Sequence, residues 1–122
     1  MEEINLRNYA YLGDAVWEIF VREKTVRVTN NAKKLHQLTT NLVKTSTQCT
    51  LLHFLEPNLT EDEIELTRRA RNLPIPVGRR NIQSEYRQAT AFEALIGWWH
   101  MNDKSRLEFI LTLLENSEFI NL

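Results

Sequence analysis

Two apolar stretches of the chain carry acids where helical periodicity asks for core. In YAYLGDAVWEIFV, residues 9–21, ten apolar residues and one glycine surround Asp14 and Glu18. In ATAFEALIGWWHM, residues 89–101, Glu93 is the single formal charge. Ala89, Phe92, Ile96 and Trp99 follow i, i+3, i+7 and i+10, a core-facing stripe that Glu93 borders. On the first stretch Leu12, Ala15, Ile19 and Phe20 mark the apolar positions, with Asp14 beside them. A carboxylate at the edge of a core must take up a proton or find a partner. That partner can be an arginine, a set of helix-terminal amides or a metal ion. On spacing alone, ordinary partly buried acids paired with arginines are the plainer account.

The chemical alternative is a shared divalent cation, because two facing ionised carboxylates repel unless one lies between them. Magnesium suits so small a ligand set: it takes oxygen donors, keeps several waters and is often held by one or two carboxylates plus substrate phosphate. Gly13, just before Asp14, would let another helix or a phosphate approach closely. Asp14 and Glu93 are therefore a candidate metal-ligating pair, with the ordinary-acid account still the plainer on spacing alone. Glu18, one turn beyond Asp14, could support that pair, but a salt bridge to Arg22 four residues on is the preferred reading.

Other chemistry-bearing residues give weaker signals. His36, His53 and His100 are too scattered for a metal motif, and Cys49 in TSTQCTLL reads as an inert buried thiol. A single cysteine also excludes an internal disulfide framework and a zinc-thiolate cluster. Trp98 and Trp99 read as packing or dimer contacts, and EDEIE, residues 61–65, as a solvated face at a helix start.

The elements that must position the acids are helical. Three glycines and three prolines leave few breaks in 122 residues, enough for one domain with its own core. The periodicity predicts helices over 6–24, 32–40, 44–55, 60–71, 85–101 and 104–115, an all-α domain. Thr60 with Glu63 has capping-box spacing, and Ser84 is a candidate cap for the fifth helix. LPIPVGRRN, residues 73–81, reads as the one long loop. The N-terminal MEEINLRNYA lacks the basic start and apolar run of a signal peptide, and no apolar span approaches about eighteen residues. A soluble cytoplasmic protein with no membrane partner is the expectation.

Net charge is −1, but it is segregated. Arg68, Arg69, Arg71, Arg79, Arg80 and Arg87 face one acid, Glu85, within residues 68–87, so that block carries +5 and the remainder −6. A local basic footprint is what a phosphate backbone needs, and these six arginines are the candidate phosphate-binding residues.

YLGDAVWE, residues 11–18, resembles the signature helix of ribonuclease III domains, and FEALIG, residues 92–97, resembles their second motif. RRARN, residues 68–72, and YRQATAFEALIG, residues 86–97, are similar to the short Mini-ribonuclease III branch, and the likeness covers roughly residues 6–115. Asp14 and Glu93, 79 positions apart, then match the family's catalytic aspartate and glutamate. Longer ribonuclease III enzymes carry further acids where this chain has Ala10 and Thr90. The short branch likewise keeps only the two acids, and Thr90 becomes a second candidate for support beside Glu18.

The resemblance implies the ribonuclease III endonuclease fold without a double-stranded RNA-binding domain, and it makes the six arginines candidate RNA-binding residues. It implies a homodimeric, Mg2+-dependent endoribonuclease that cuts duplex RNA to 5′-phosphate and 3′-hydroxyl ends with short 3′ overhangs. It also implies a role in maturing the ends of 23S ribosomal RNA precursors, in the cytoplasm or, for a plastid-bearing source, the plastid stroma. Two rivals would keep the fold without the chemistry: a non-catalytic RNA-binding or ribosome-associated domain, and a helical protein-interaction module.

Overall fold

Asparagine and aspartate side chains start three of the helices by accepting an otherwise orphaned backbone N–H. Asn5 accepts from Asn8 (2.9 Å) to open α1 (Leu6–Thr25), and Asn31 accepts from Lys34 (2.9 Å) to open α2 (Ala32–Val43). Asp103 accepts from Arg106 (3.1 Å) to open α6 (Lys104–Glu115). Between them lie α3 (Thr45–Leu55), a short 3-10 turn (Glu56–Asn58), α4 (Glu61–Arg71) and α5 (Gln83–Asn102). This computed structural model describes residues 4–75 and 83–122, and among them every regular element is helical. No helix among the described residues is long and apolar enough to cross a membrane.

The expected helices all form, with ends displaced by up to three residues. Thr60 and Glu63 make the predicted capping box: the Thr60 hydroxyl accepts from the Glu63 N–H (3.2 Å) and the Glu63 carboxylate from the Thr60 N–H (2.8 Å). Ser84 is not a cap, because α5 already includes Gln83. Residues 73–75 are non-helical as expected, whereas the rest of the predicted loop, with Arg79 and Arg80, lies outside the described residues.

Helix α5 is the centre of the fold, packed against α1, α3, α4 and α6. Its buried residues (Ala89, Ala91, Phe92, Ala94, Leu95, Ile96, Gly97 and Trp99) run almost round the helix, as a helix enclosed by others requires. The core stripe on α1 differs from the expected one. Leu6, Tyr9, Ala10, Gly13, Trp17, Val21 and Thr25 are buried, while Ala15 and Ile19 are exposed and Leu12 and Phe20 half-buried. With apolar residues on nearly every side of α1, periodicity could not choose the inward face. Glycine and tryptophan choose it.

Trp17 is fully buried, its ring edge against Phe92 (centroids 5.1 Å apart, planes at 89°) and its indole N–H donating to the Leu42 carbonyl (3.0 Å). That one side chain ties α1 to α5 and to the end of α2. Gly13 and Gly97 bring α1 and α5 into backbone contact. A Cβ at Gly13 would lie 1.8 Å from the Glu93 carbonyl oxygen, and one at Gly97 1.9 Å from that of Tyr9.

The far end of α5 is held by a buried ionic network, and here the expectation of a solvated acidic face needs correction. Glu63 is buried and accepts from the Trp99 indole (2.8 Å) and from Arg106 through Nε (3.0 Å) and Nη2 (2.8 Å). Arg106 also donates to the Asn58 carbonyl (2.6 Å). Burial pushes the Glu63 carboxyl up most strongly. The Arg106 hydrogen bonds, the Thr60 and Trp99 donors and the Arg106 charge together outweigh it and hold the group below the usual carboxylate range.

Candidate active site

The glycine contact between α1 and α5 sets two carboxylates side by side. Asp14 follows Gly13 directly and is exposed, whereas Glu93 is half-buried on α5, one turn before Gly97. Glu93 is pushed up to about 8, first by burial and then by hydrogen bonding to, and the negative charge of, Asp14. Among the described residues neither acid forms an ion pair, so the arginine partners that spacing alone favoured are not there.

One opposing influence comes from a residue that sequence reasoning passed over. Gln48, on α3, is buried and donates from its amide to Glu93 Oε2 (3.5 Å) and to the Val43 carbonyl (3.1 Å), which favours the ionised form of Glu93. A signal was present. Gln48 stands at helical spacing from Leu51, Leu52 and Leu55, a polar residue on an apolar stripe.

The supporting candidates are differently engaged. Glu18 pairs with Arg22 (3.0 Å) on the helix surface, the preferred reading. The Thr90 hydroxyl donates to the Tyr86 carbonyl (2.9 Å), one turn back on its own helix. Among the described residues no three His, Cys, Asp or Glu side chains cluster as a metal site. Cys49 is half-buried, and its thiol is pushed up by burial first, then by the charges of Glu85 and Glu56, which disfavours the reactive thiolate. Trp99 is core, as expected of it, and Trp98 packs partly buried against the same core.

The two acids fit a hard divalent cation. They are facing carboxylates with oxygen donors only, one of them driven towards its protonated form by burial and by the other. Among the described residues the further polar contact to Glu93 is the uncharged Gln48 amide, which neutralises nothing.

The basic block divides. Arg68 is exposed and forms a salt bridge with Glu65, one turn back on α4. Arg69 is exposed, and both line a cavity of about 460 Å³ with Ile4, Asn5, Leu6, Asn72 and Leu73. Arg71 and Arg87 are half-buried. Arg87 donates to the carbonyls of Arg71 and Leu73, so its guanidinium caps the C-terminal end of α4. Arg7 adds a donor to the Pro74 carbonyl (3.2 Å). Of the six candidate arginines, Arg68 and Arg69 are exposed, Arg71 is half-buried, Arg87 serves the backbone, and Arg79 and Arg80 lie outside the described residues.

A family profile described as "Ribonuclease III domain" matches residues 7–104. A Mini-ribonuclease 3 of Gloeobacter violaceus is 41% identical over 115 residues, 94% of this chain and 85% of that one. A Mini-ribonuclease 3 of Clostridium tetani is 34% identical over 120 residues, 95% of this chain and 80% of that one. The crystal structure of protein FN1578 from Fusobacterium nucleatum superposes with a TM-score of 0.79 at 25% identity, covering 93% of each chain. By motif, fold and relatives, this chain belongs to the ribonuclease III family, in its Mini-ribonuclease 3 branch, and is an endoribonuclease.

Proposed function

We propose that the chain is a Mg2+-dependent endoribonuclease that cuts double-stranded RNA at the Asp14–Glu93 pair, and that its natural substrate is the 23S ribosomal RNA precursor. The observation that carries the reading is a Glu93 carboxyl pushed up to about 8 by burial and by Asp14, with no cation from the described chain beside it. Asp14 and Glu93 would hold the metal. When bound, magnesium would polarise the scissile phosphate, make water a better nucleophile and stabilise charge on the leaving oxygen. Asp14 presents its carboxylate on the solvent side, where a backbone phosphate can reach it, and Glu93 anchors the same site from the core edge. Water adds to phosphorus and the bond to the 3′ oxygen breaks, which leaves 5′-phosphate and 3′-hydroxyl ends.

Duplex RNA is read mainly by shape, 2′-hydroxyls and phosphates, so the arginines would contribute salt-dependent affinity more than sequence choice. Arg68 and Arg69, with Arg79 and Arg80, are the phosphate contacts of this reading. A homodimer supplies one active site for each strand. Its support is the exposed face of α1, where Tyr11, Ala15 and Ile19 repeat at i, i+4 and i+8 beside Asp14, with Tyr11 84% and Ile19 58% exposed. Apolar side chains so placed are what a two-fold interface buries, and that interface would put two cleavage sites on one side of the duplex and account for short 3′ overhangs. The cytoplasm, or the plastid stroma in a plastid-bearing source, is where such a substrate is met.

Incubation of the full chain with duplex RNA in magnesium, against EDTA and against Asp14→Asn and Glu93→Gln, tests the reading. Cutting should require the metal and both acids. Cleavage indifferent to them sinks the assignment of the site, and binding without cleavage favours a non-catalytic domain on the same fold.

A further inference from the structure

We infer that Gln48 is a positioning residue for the acidic pair, holding the Glu93 carboxylate towards Asp14 so that a divalent cation meets two preplaced ligands. The inference rests on the reading of Asp14 and Glu93 as the cation's ligands. It starts from a residue that packing alone does not ask for. Gln48 is 3% exposed, on the side of α3 that buries Leu51, Leu52 and Leu55, where leucine would fill the same space without burying an amide.

The amide has a specific employment there. Its nitrogen carries two hydrogens, and the two acceptors within reach are the Val43 carbonyl (3.1 Å) and Glu93 Oε2 (3.5 Å). The first bond fixes the amide to the end of α2 and the second directs it at Glu93. One side chain therefore links the backbone of α2, the helix α3 and the acid on α5.

The chemistry of the group matters as much as its place. A lysine or arginine in this position would neutralise the pair and displace the cation it is meant to receive. A carboxylate would add a third negative charge. An uncharged donor orients Glu93 and leaves the charge of the pair for the metal, the role that hydrogen-bonding partners behind metal ligands commonly fill. Neither Ala10 nor Thr90 does this work, because alanine has no polar group and the Thr90 hydroxyl is bonded to Tyr86. The position of Gln48 on a separate helix explains how two acids can serve as a metal site with so little polar support from their own helices.

Magnesium titrations of the RNA-free full chain, followed by thermal shift and by calorimetry, test the proposal. Wild type is compared with Gln48→Leu, which removes the donor, and Gln48→Glu, which replaces it with a charge; Glu93→Gln is the control that loses a ligand. The bond to Glu93 is long, so Gln48→Leu should weaken magnesium binding by roughly 3–10-fold, the low end for such partners. Gln48→Glu should tighten it while lowering the metal-free melting temperature. If Gln48 only packs, both variants melt lower without metal and bind magnesium as wild type does, which overturns the proposal. Should Gln48→Leu fail to fold, the direction of the Gln48→Glu shift decides alone. Wild-type protein that ignores magnesium overturns the cation site and Gln48 with it, whereas a wild-type response copied by both variants overturns Gln48 only.

Discussion

Replacing Glu93 by glutamine should stabilise the metal-free protein above acid pH. In the fold Glu93 is held up to about 8, against a usual value of 4.5, by burial and by Asp14. Between those two values the folded protein keeps a proton that the unfolded chain has released. Raising pH therefore favours the unfolded chain, and stability that is complete below about 4.5 is lost until pH passes about 8. At about 1.4 kcal/mol for each pH unit, the loss reaches roughly 3 kcal/mol at pH 7. Water entering a half-open site takes back part of it, leaving about 1–3 kcal/mol. Glutamine has the shape of the protonated acid and no proton to lose. In EDTA, wild type and Glu93→Gln should melt together near pH 4.5 and diverge by roughly 5–10 °C at pH 8, with the variant higher. Millimolar magnesium should close the gap by raising wild type alone, even as the variant loses cleavage. Melting curves that stay parallel from pH 4.5 to 8 would refute the reasoning, because Glu93 would then be ionised at no cost.

Other perturbations separate packing from chemistry. Gly13→Ala places a methyl 1.8 Å from the Glu93 carbonyl oxygen, so α1 and α5 must part. Denaturant melts should register a loss of about 3 kcal/mol, and cleavage should fall further than the unfolded fraction explains. Arg106→Met strands Glu63 between Trp99 and the Thr60 N–H, at about 3–5 kcal/mol near neutrality by chemical denaturation. Because Glu63 sits below the usual carboxylate value in the fold, its contribution is present above about 4.5 and lost as pH falls through the folded value, so the variant should also lose the acid dependence of wild type. Arg79→Ala with Arg80→Ala should weaken duplex RNA binding and flatten its salt dependence with little change in melting temperature; an unchanged dissociation constant counts against a role for that segment.

Helix positions were legible in the sequence because breakers are few and the Thr60–Glu63 cap is explicit, whereas the caps made by Asn31 and Asp103 emerged only in the structure and Ser84, a candidate cap, is not one. The inward face of α1 was not legible. Its apolar residues run all round, since one side packs on α5 while Tyr11, Ala15 and Ile19 remain outside. Asp14 and Glu93 could be named because each is an acid without an apolar excuse, and because the family motifs contain them. Gln48 could not, since an isolated glutamine in TSTQCTLL is meaningful only once α3 is laid against α5. Glu63 shows the same limit: its link to the Thr60 cap is local and was read, while its bonds to Trp99 and Arg106 join residues 36 and 43 positions away. Arg87 counted as positive charge in the sequence, and only the fold turns it into a cap for α4.

The acids are close because the helices touch through glycine, and this makes the electrostatics of the site a property of the core. Gly13 adjoins Asp14, its absent Cβ is filled by the Glu93 carbonyl, and Gly97 one turn later meets the carbonyl of Tyr9. Moving α1 outward would relieve the repulsion between the carboxylates, but it would also open a contact made backbone to backbone, with Trp17 and Phe92 packed beside it. Close-packed interiors resist such displacement, so the pair cannot relax by drifting apart. It must hold a proton or accept a cation. Sites carried on rigid elements keep their geometry better than sites on loops, and here both acids and the Gln48 amide stand on helices packed against or belonging to the central one. If the pair is the metal site, packing through Gly13 and Gly97 would fix the placement of its two acids.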